Sequence, residues 1–282
     1  MNRRRRALLL AGLGVLVILA AVAANTLRNG AGITVGRDDT PAERRAVLAP
    51  FWRIVPADTD IASARAVLLS GCDGVHDNMD YWAGVLADAG RPALILDSHT
   101  PRSLDGLEAW RLVCAGQMLT GAERAGDLAV ALAATGSDRV TLLGASHGGW
   151  AAMEFLRQLA TGEPPPGLSA WPASPLSLAS RIDGVVLLYP YCGLLNRSVA
   201  GDWSQLPPIL LIAAEHDRIV STPDCLATAE ALRARGADIR VSVIPDADHG
   251  FDQAERSPLS ALQFDRAARD AALREVRRFI AR

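Results

Sequence analysis

No lysine occurs anywhere in this chain of 282 residues, and all 29 of its basic residues are arginine. The absence removes every chemistry that needs an ε-amine: Schiff-base catalysis, serine-lysine dyads and the lysine-bearing phosphate loop. No acidic residue falls among the first thirty positions, which hold Arg3, Arg4, Arg5, Arg6 and Arg28. The remainder therefore carries 24 arginines against 31 acids, a balance that excludes a nucleic-acid-binding surface as its main feature. Internal repeats are missing too. At 50% hydrophobic the chain is long enough for one large α/β core and too short for two catalytic domains.

The N-terminal segment is a targeting element. Behind the arginine cluster, Ala7 to Ala24 is an unbroken run of Ala, Leu, Gly, Val and Ile. As a helix its 18 residues span about 27 Å, longer than an ordinary signal core and at the short limit for crossing a membrane. Ala21-Val22-Ala23 offers a small-residue cleavage site, and Arg5-Arg6 hints at twin-arginine export. Residues 1–30 thus read as a signal peptide or a membrane anchor that engages the membrane or the export machinery. The arginines stay cytoplasmic, and the body is expected in the periplasm or another extracytoplasmic space. Residues 31–50 read as a linker with one turn of helix at 41–49. Four cysteines in an exported chain permit two disulfides, against the alternative of four buried thiols.

The most informative stretch is Gly144-Ala145-Ser146-His147-Gly148. The apolar run Val140 to Leu143 precedes it as a buried strand, and Trp150, Met153 and Leu156 recur after it at helical spacing. A serine between strand and helix, with small flanking residues, matches a nucleophile elbow, whose backbone turns sharply enough to lift the hydroxyl clear of the sheet. Further buried strands are expected at 51–55 on an edge, 66–69, 93–96, 185–188, 209–212 and 239–243. Helices are expected at 76–89, 120–134, from the elbow to about 162, at 223–235 and at 257–280. Thr120 and Glu123 form a capping box. Such alternation means a mostly parallel sheet with helices on both faces in a single domain, 51–282.

Ligands of a parallel sheet bind where the strands' C-terminal ends meet, so only loops after strands can join Ser146. The proline-rich stretch 163–180 precedes a strand and is not expected to be a lid. A serine hydroxyl needs a base and a third group to orient it. Of five histidines, His249 follows the last strand on the correct rim; His76 and His99 precede the serine, His147 is fixed beside it, and His216 neighbours Asp217. Asp217 is the expected acid, with Glu215 in reserve. The order serine, acid, histidine is the one an elbow serine begins. Backbone N–H groups of His147 and Cys72 are the expected oxyanion donors.

Taken together, Ser70 to Gly74, Asn78 to Trp82, Asp97 to Arg102, Glu123-Arg124 with Asp127, the elbow, Asp217 and His249-Gly250-Phe251 resemble the dienelactone hydrolase family of α/β-hydrolases from about Phe51 to Arg282. The resemblance implies an α/β-hydrolase fold, Ser146, Asp217 and His249 as triad, and Cys72 and His147 as oxyanion hole. Dienelactone hydrolases themselves use a cysteine where Ser146 stands and a glutamate where Gly71 stands. They hold a carboxylated substrate with two arginines; Arg102 matches one as a substrate-binding residue or else serves a structural ion pair, and Gln253 replaces the other. In this topology Cys192 and Cys225 lie on neighbouring rim loops, and Cys72 and Cys114 flank adjacent strands, which predicts the pairs 72–114 and 192–225. The expected protein is a serine hydrolase acting on a small-molecule ester or lactone with no cofactor and no metal. The same triad also serves peptidases and acyltransferases, and a catalytically silent binding module is the alternative from another class.

Overall fold

The computed structural model describes residues 3–33, 38–256 and 260–282. Among the described residues, seven strands form one sheet in the order β1-β3-β2-β4-β5-β6-β7: β1 (Arg53–Val55), β2 (Ala66–Leu69), β3 (Ala93–Leu96), β4 (Val140–Ala145), β5 (Ile182–Leu188), β6 (Ile209–Ala214) and β7 (Ile239–Ile244). All neighbours run parallel except β1, which pairs antiparallel with β3 as an edge. The helices are α1 (Arg3–Gly30), α2 (Pro41–Leu48), α3 (Asp77–Asp88), the single turn α4 (Gly106–Glu108), α5 (Gly121–Ala134), α6 (His147–Thr161), α7 (Pro175–Ser180), α8 (Thr222–Arg233) and α9 (Arg266–Ile280).

Alternation along the central strands sends side chains into two cores. Val67, Leu69, Leu142, Val185 and Leu187 pack with Leu128, Phe155 and Leu156 of α5 and α6. On the other face Leu68, Leu143, Val186 and Leu210 meet Met79, Trp82 and Leu86 of α3 and Val276 and Phe279 of α9. Burial on both sides is why these strands read as continuous apolar runs. The capping box on α5 is present, with Thr120 accepting from the Glu123 N–H and Glu123 accepting from the Thr120 N–H.

Several boundaries differ from expectation. Residues 41–48 are not a linker turn but a full helix, capped by Thr40 and Glu43 and docked through Arg44, whose guanidinium meets buried Asp127 at 2.8 Å. Phe51 lies in a short 3-10 turn, so the edge strand starts at Arg53. The expected helix from 257 begins at Arg266, where Asp265 accepts from the Ala267 and Ala268 N–H groups; positions 257–259 lie outside the described residues. The stretch 163–180 contains α7 and, as expected, contributes no residue to the cavity beside Ser146. The long connection after β3 is ordered by a π-helical turn at Ala109–Cys114. Both expected disulfides form: Cys72–Cys114 ties this connection to the turn after β2, and Cys192–Cys225 ties the loop after β5 to α8.

Candidate active site

Ser146 stands between β4 and α6 with φ 51 and ψ −113, a conformation that only a tightly packed turn holds in a residue with a side chain. Two glycines make the turn possible. A Cβ on Gly144 would lie 2.4 Å from the Gly148 carbonyl oxygen, and one on Gly148 would lie 2.2 Å from that of Leu69. No side chain fits either place. Tethering is completed by the Ser146 N–H, which donates to Leu188 at 2.8 Å, and by the Ser146 carbonyl, which accepts from Tyr191 at 3.1 Å.

The two other expected residues meet this serine. His249 Nε2 is 2.9 Å from Ser146 Oγ, and His249 Nδ1 is 2.7 Å from Asp217 Oδ2. Asp217 and His249 side chains are 1% and 5% exposed, so water does not compete for these bonds. Asp217 is fixed by its second oxygen, which accepts from the N–H groups of Ile219 at 2.9 Å and Val220 at 2.8 Å. Asp248 accepts from the Arg218 N–H at 2.9 Å and the His249 N–H at 2.8 Å, joining the acid's loop to the imidazole's. Glu215 instead accepts from the Asp246 N–H at 3.0 Å in an exposed position, and takes no part.

Around the hydroxyl, a cavity of about 320 Å³ is bounded by Cys72, Trp110, Tyr189, Ile219, Gln253 and Leu262 among others. A second cavity of about 290 Å³ opens beside it and reaches His147, Trp150, Leu194 and Thr26. Cys72 and Ser146 border both, and the first N–H of α6 belongs to His147, directly after the serine.

Arg102 is not in this group. Its guanidinium binds Asp127 with two bonds of 2.9 and 2.8 Å and donates to the Ser98 carbonyl at 2.7 Å, and it borders neither cavity. The substrate-binding alternative for Arg102 is therefore corrected: a wholly buried carboxylate between Arg102 and Arg44 needs both cations, and the side chain is used there. Burial alone would push the Asp127 carboxyl up, but the two guanidiniums outweigh it and hold it below the usual range. Gln253 does face the cavity and donates to Asp73 at 3.0 Å.

Some contributors carried no sequence expectation of a role. Arg124, wholly buried, donates to the Ser70 carbonyl at 2.6 Å, the Gly71 carbonyl at 3.3 Å and Ser70 Oγ at 2.9 Å, pinning the turn that presents Cys72. Burial lowers its pKa to about 10, still high enough to stay charged at neutral pH. An arginine inside a helix of small apolar residues was the available signal. Behind the imidazole, Tyr189 stacks edge-on at 4.8 Å and donates its hydroxyl to buried Asp252, which also accepts from Trp82 Nε1 at 2.5 Å.

His99 and His147 lie against Arg124, and burial followed by its charge pushes both well below the ordinary histidine value. Both are neutral when folded, whereas the unfolded chain protonates them near pH 6.5. Below that pH the unfolded state binds more protons, so stability falls with pH, by up to about 1.4 kcal/mol per pH unit for each histidine. His76 has the opposite sign, because its bond to Asp73 raises its pKa; its contribution is present below about pH 6.5 and is lost as pH rises through the raised value. Urea midpoints should therefore decline from about pH 7 to about pH 5. A flat profile would contradict neutral burial of the pair.

Comparisons with known proteins agree with this architecture. The sequence model of the Dienelactone hydrolase family matches residues 169–282, which include β5 to β7, Asp217 and His249. No curated protein matches the chain. Among solved structures, a putative dienelactone hydrolase from Klebsiella pneumoniae is similar at 15% identity and TM-score 0.58, covering 80% of this chain and 90% of its own. Esterase 2 of Thermogutta terrifontis with bound propionate aligns at 18% identity and TM-score 0.56, covering 82% and 88%. A dienelactone hydrolase-like promiscuous phosphotriesterase from metagenomic libraries aligns at 18% and 0.53, covering 77% and 84%. The fold is that of the α/β-hydrolases. The family match covers the C-terminal part of the chain, and these structures, at 15–18% identity, share its fold.

Proposed function

We propose that this chain is an exported serine hydrolase that cleaves an ester, lactone or related acyl bond through an acyl-enzyme. One observation carries the reading: an unbroken hydrogen-bonded relay from Ser146 Oγ through His249 to Asp217, seated at the ligand-binding rim of the sheet. His249 Nε2 takes the proton as Ser146 Oγ attacks the carbonyl carbon. Asp217 holds the other nitrogen and stabilises the imidazolium that forms. The tetrahedral oxyanion is met by the N–H groups of His147 and Cys72, each such donor contributing about 3 kcal/mol. As the C–O bond breaks, His249 returns the proton to the leaving oxygen. A water then gives its proton to His249 and its hydroxide to the acyl carbon; as the bond from that carbon to Ser146 Oγ breaks, His249 returns the proton to Oγ, and the acid is released.

Export is supported by the arginine-led apolar helix and by the two disulfides, which belong to an oxidising compartment. A cavity with largely apolar walls suits a small or medium acyl group. The test is turnover of an activated short-chain ester such as p-nitrophenyl acetate by the full chain. Measurable saturable hydrolysis is expected, and its absence across a panel of acyl lengths would remove the reading.

A further inference from the structure

The apolar N-terminal helix does not end in open solvent. After Ala24, α1 continues for another turn and a half into contact with the body, where Asn25 Nδ2 donates to the Gln117 carbonyl at 2.8 Å and Asn29 Nδ2 to that of Gly116 at 2.9 Å. Gln117 answers by donating to Thr26 Oγ1 at 2.9 Å. Three side-chain bonds over two turns, from Asn25 and Thr26 on one and Asn29 on the next, fix where the membrane-crossing stretch leaves the body. That place is beside the active site, since Thr26 borders the same cavity as Ser146. Two residues of helix, about 3 Å of rise, separate Thr26 from the end of the apolar run.

Exposed apolar side chains sit on the connections that border this mouth. Leu107 and Trp110 lie in α4 and the π-helical turn that follows it, Met118 follows on the same connection, and Leu194 and Ile219 come from the loops after β5 and β6; their exposures run from 43% for Trp110 to 88% for Leu194. Met118 also lines a groove against Ala21 and Val22, inside the apolar run itself. A groove walled by the last residues of the apolar run, with Arg28 and Arg111 on its other walls, places Met118 at the level where the bilayer edge meets the body. Isolated exposed apolar residues mean little, but a cluster continuous with a membrane helix has an occupant defined by that helix.

We infer that α1 is retained as an anchor, that the apolar collar around the active-site mouth rests in the outer leaflet of the bilayer it crosses, and that the substrate is a lipophilic ester drawn from that leaflet. This rests on the hydrolase reading above and adds the source of the substrate to it. The apolar acyl chain of such an ester passes from lipid to cavity without crossing water, while the carbonyl reaches Ser146. Trp110, which borders the cavity and is partly exposed, marks the boundary.

The test uses the full chain reconstituted in phosphatidylcholine vesicles. With lipid brominated along its acyl chains, tryptophan fluorescence should be quenched, and Trp110→Phe should remove most of that quenching. Rates are then compared for p-nitrophenyl palmitate embedded in the vesicles and p-nitrophenyl acetate in water. Leu107→Glu and Met118→Glu, which lie outside the catalytic machinery, should slow the embedded ester roughly tenfold and leave the soluble one within about twofold. Unchanged quenching in Trp110→Phe, or equal rates on the embedded ester in the glutamate variants, overturns the membrane seating while the hydrolase reading stands. Failure to turn over either ester would remove both.

Discussion

His249→Ala is expected to lower kcat on p-nitrophenyl acetate by about a million-fold, and Asp217→Asn by about ten-thousand-fold, with the fold intact in both. The first removes the imidazole whose Nε2 lies 2.9 Å from Ser146 Oγ. The second acts through the tautomer. Asp217 uses one oxygen for the N–H groups of Ile219 and Val220 and the other for His249 Nδ1. An asparagine must keep its carbonyl oxygen on those two N–H groups, which turns its NH2 toward the imidazole. Nδ1 then accepts, Nε2 carries the hydrogen, and the ring can no longer take the serine's proton. Residual turnover in both variants comes from the oxyanion donors. Steady-state kinetics beside far-UV circular dichroism check this, and an Asp217→Asn enzyme within tenfold of the parent would contradict the assigned tautomer.

Asp127→Ala should destabilise the protein by about 3–5 kcal/mol. Asp127 is wholly buried and accepts one bond from Arg44 and two from Arg102. Removing it strands two guanidiniums in a region that cannot hydrate both. Arg102 is partly exposed and can turn toward water, whereas Arg44 is held by Asp39 and the Gly167 carbonyl at 2.8 Å each. The cost therefore falls mainly on Arg44, and α2 should loosen from α5. Urea denaturation measures it, and a loss under about 1 kcal/mol would show that the ion pairs are replaced by water.

The parts of the fold that sequence specified well are those decided locally. Ala66–Leu69 and Ala93–Leu96 end where expected because both faces are buried and polar turns follow at once. β4 and β5 run longer than their apolar cores, since Gly144 and Gly184 pair in the ladder without looking like strand residues and the register skips Asp183 at an irregularity. The meeting of Ser146, Asp217 and His249 was legible because a parallel sheet puts the loops after its strands on one rim. Arg102 was ambiguous for the opposite reason: its partner Asp127 is 25 residues away, and nothing local says whether a cation faces a cavity or a buried acid. α2 carried a readable capping box in Thr40-Pro41-Ala42-Glu43, but its anchor, Arg44 to Asp127, spans 83 residues. The connection 97–120 lacks any period because it is built of short turns held by a disulfide.

The central claim is that Ser146 is an activated nucleophile. Treating the full chain with a fluorophosphonate and mapping the adduct by peptide mass spectrometry tests it most directly. The expected result is one modified residue, Ser146, with labelling lost in Ser146→Ala and strongly slowed in His249→Ala. An active preparation that labels at another residue, or labels equally well in Ser146→Ala, would contradict it.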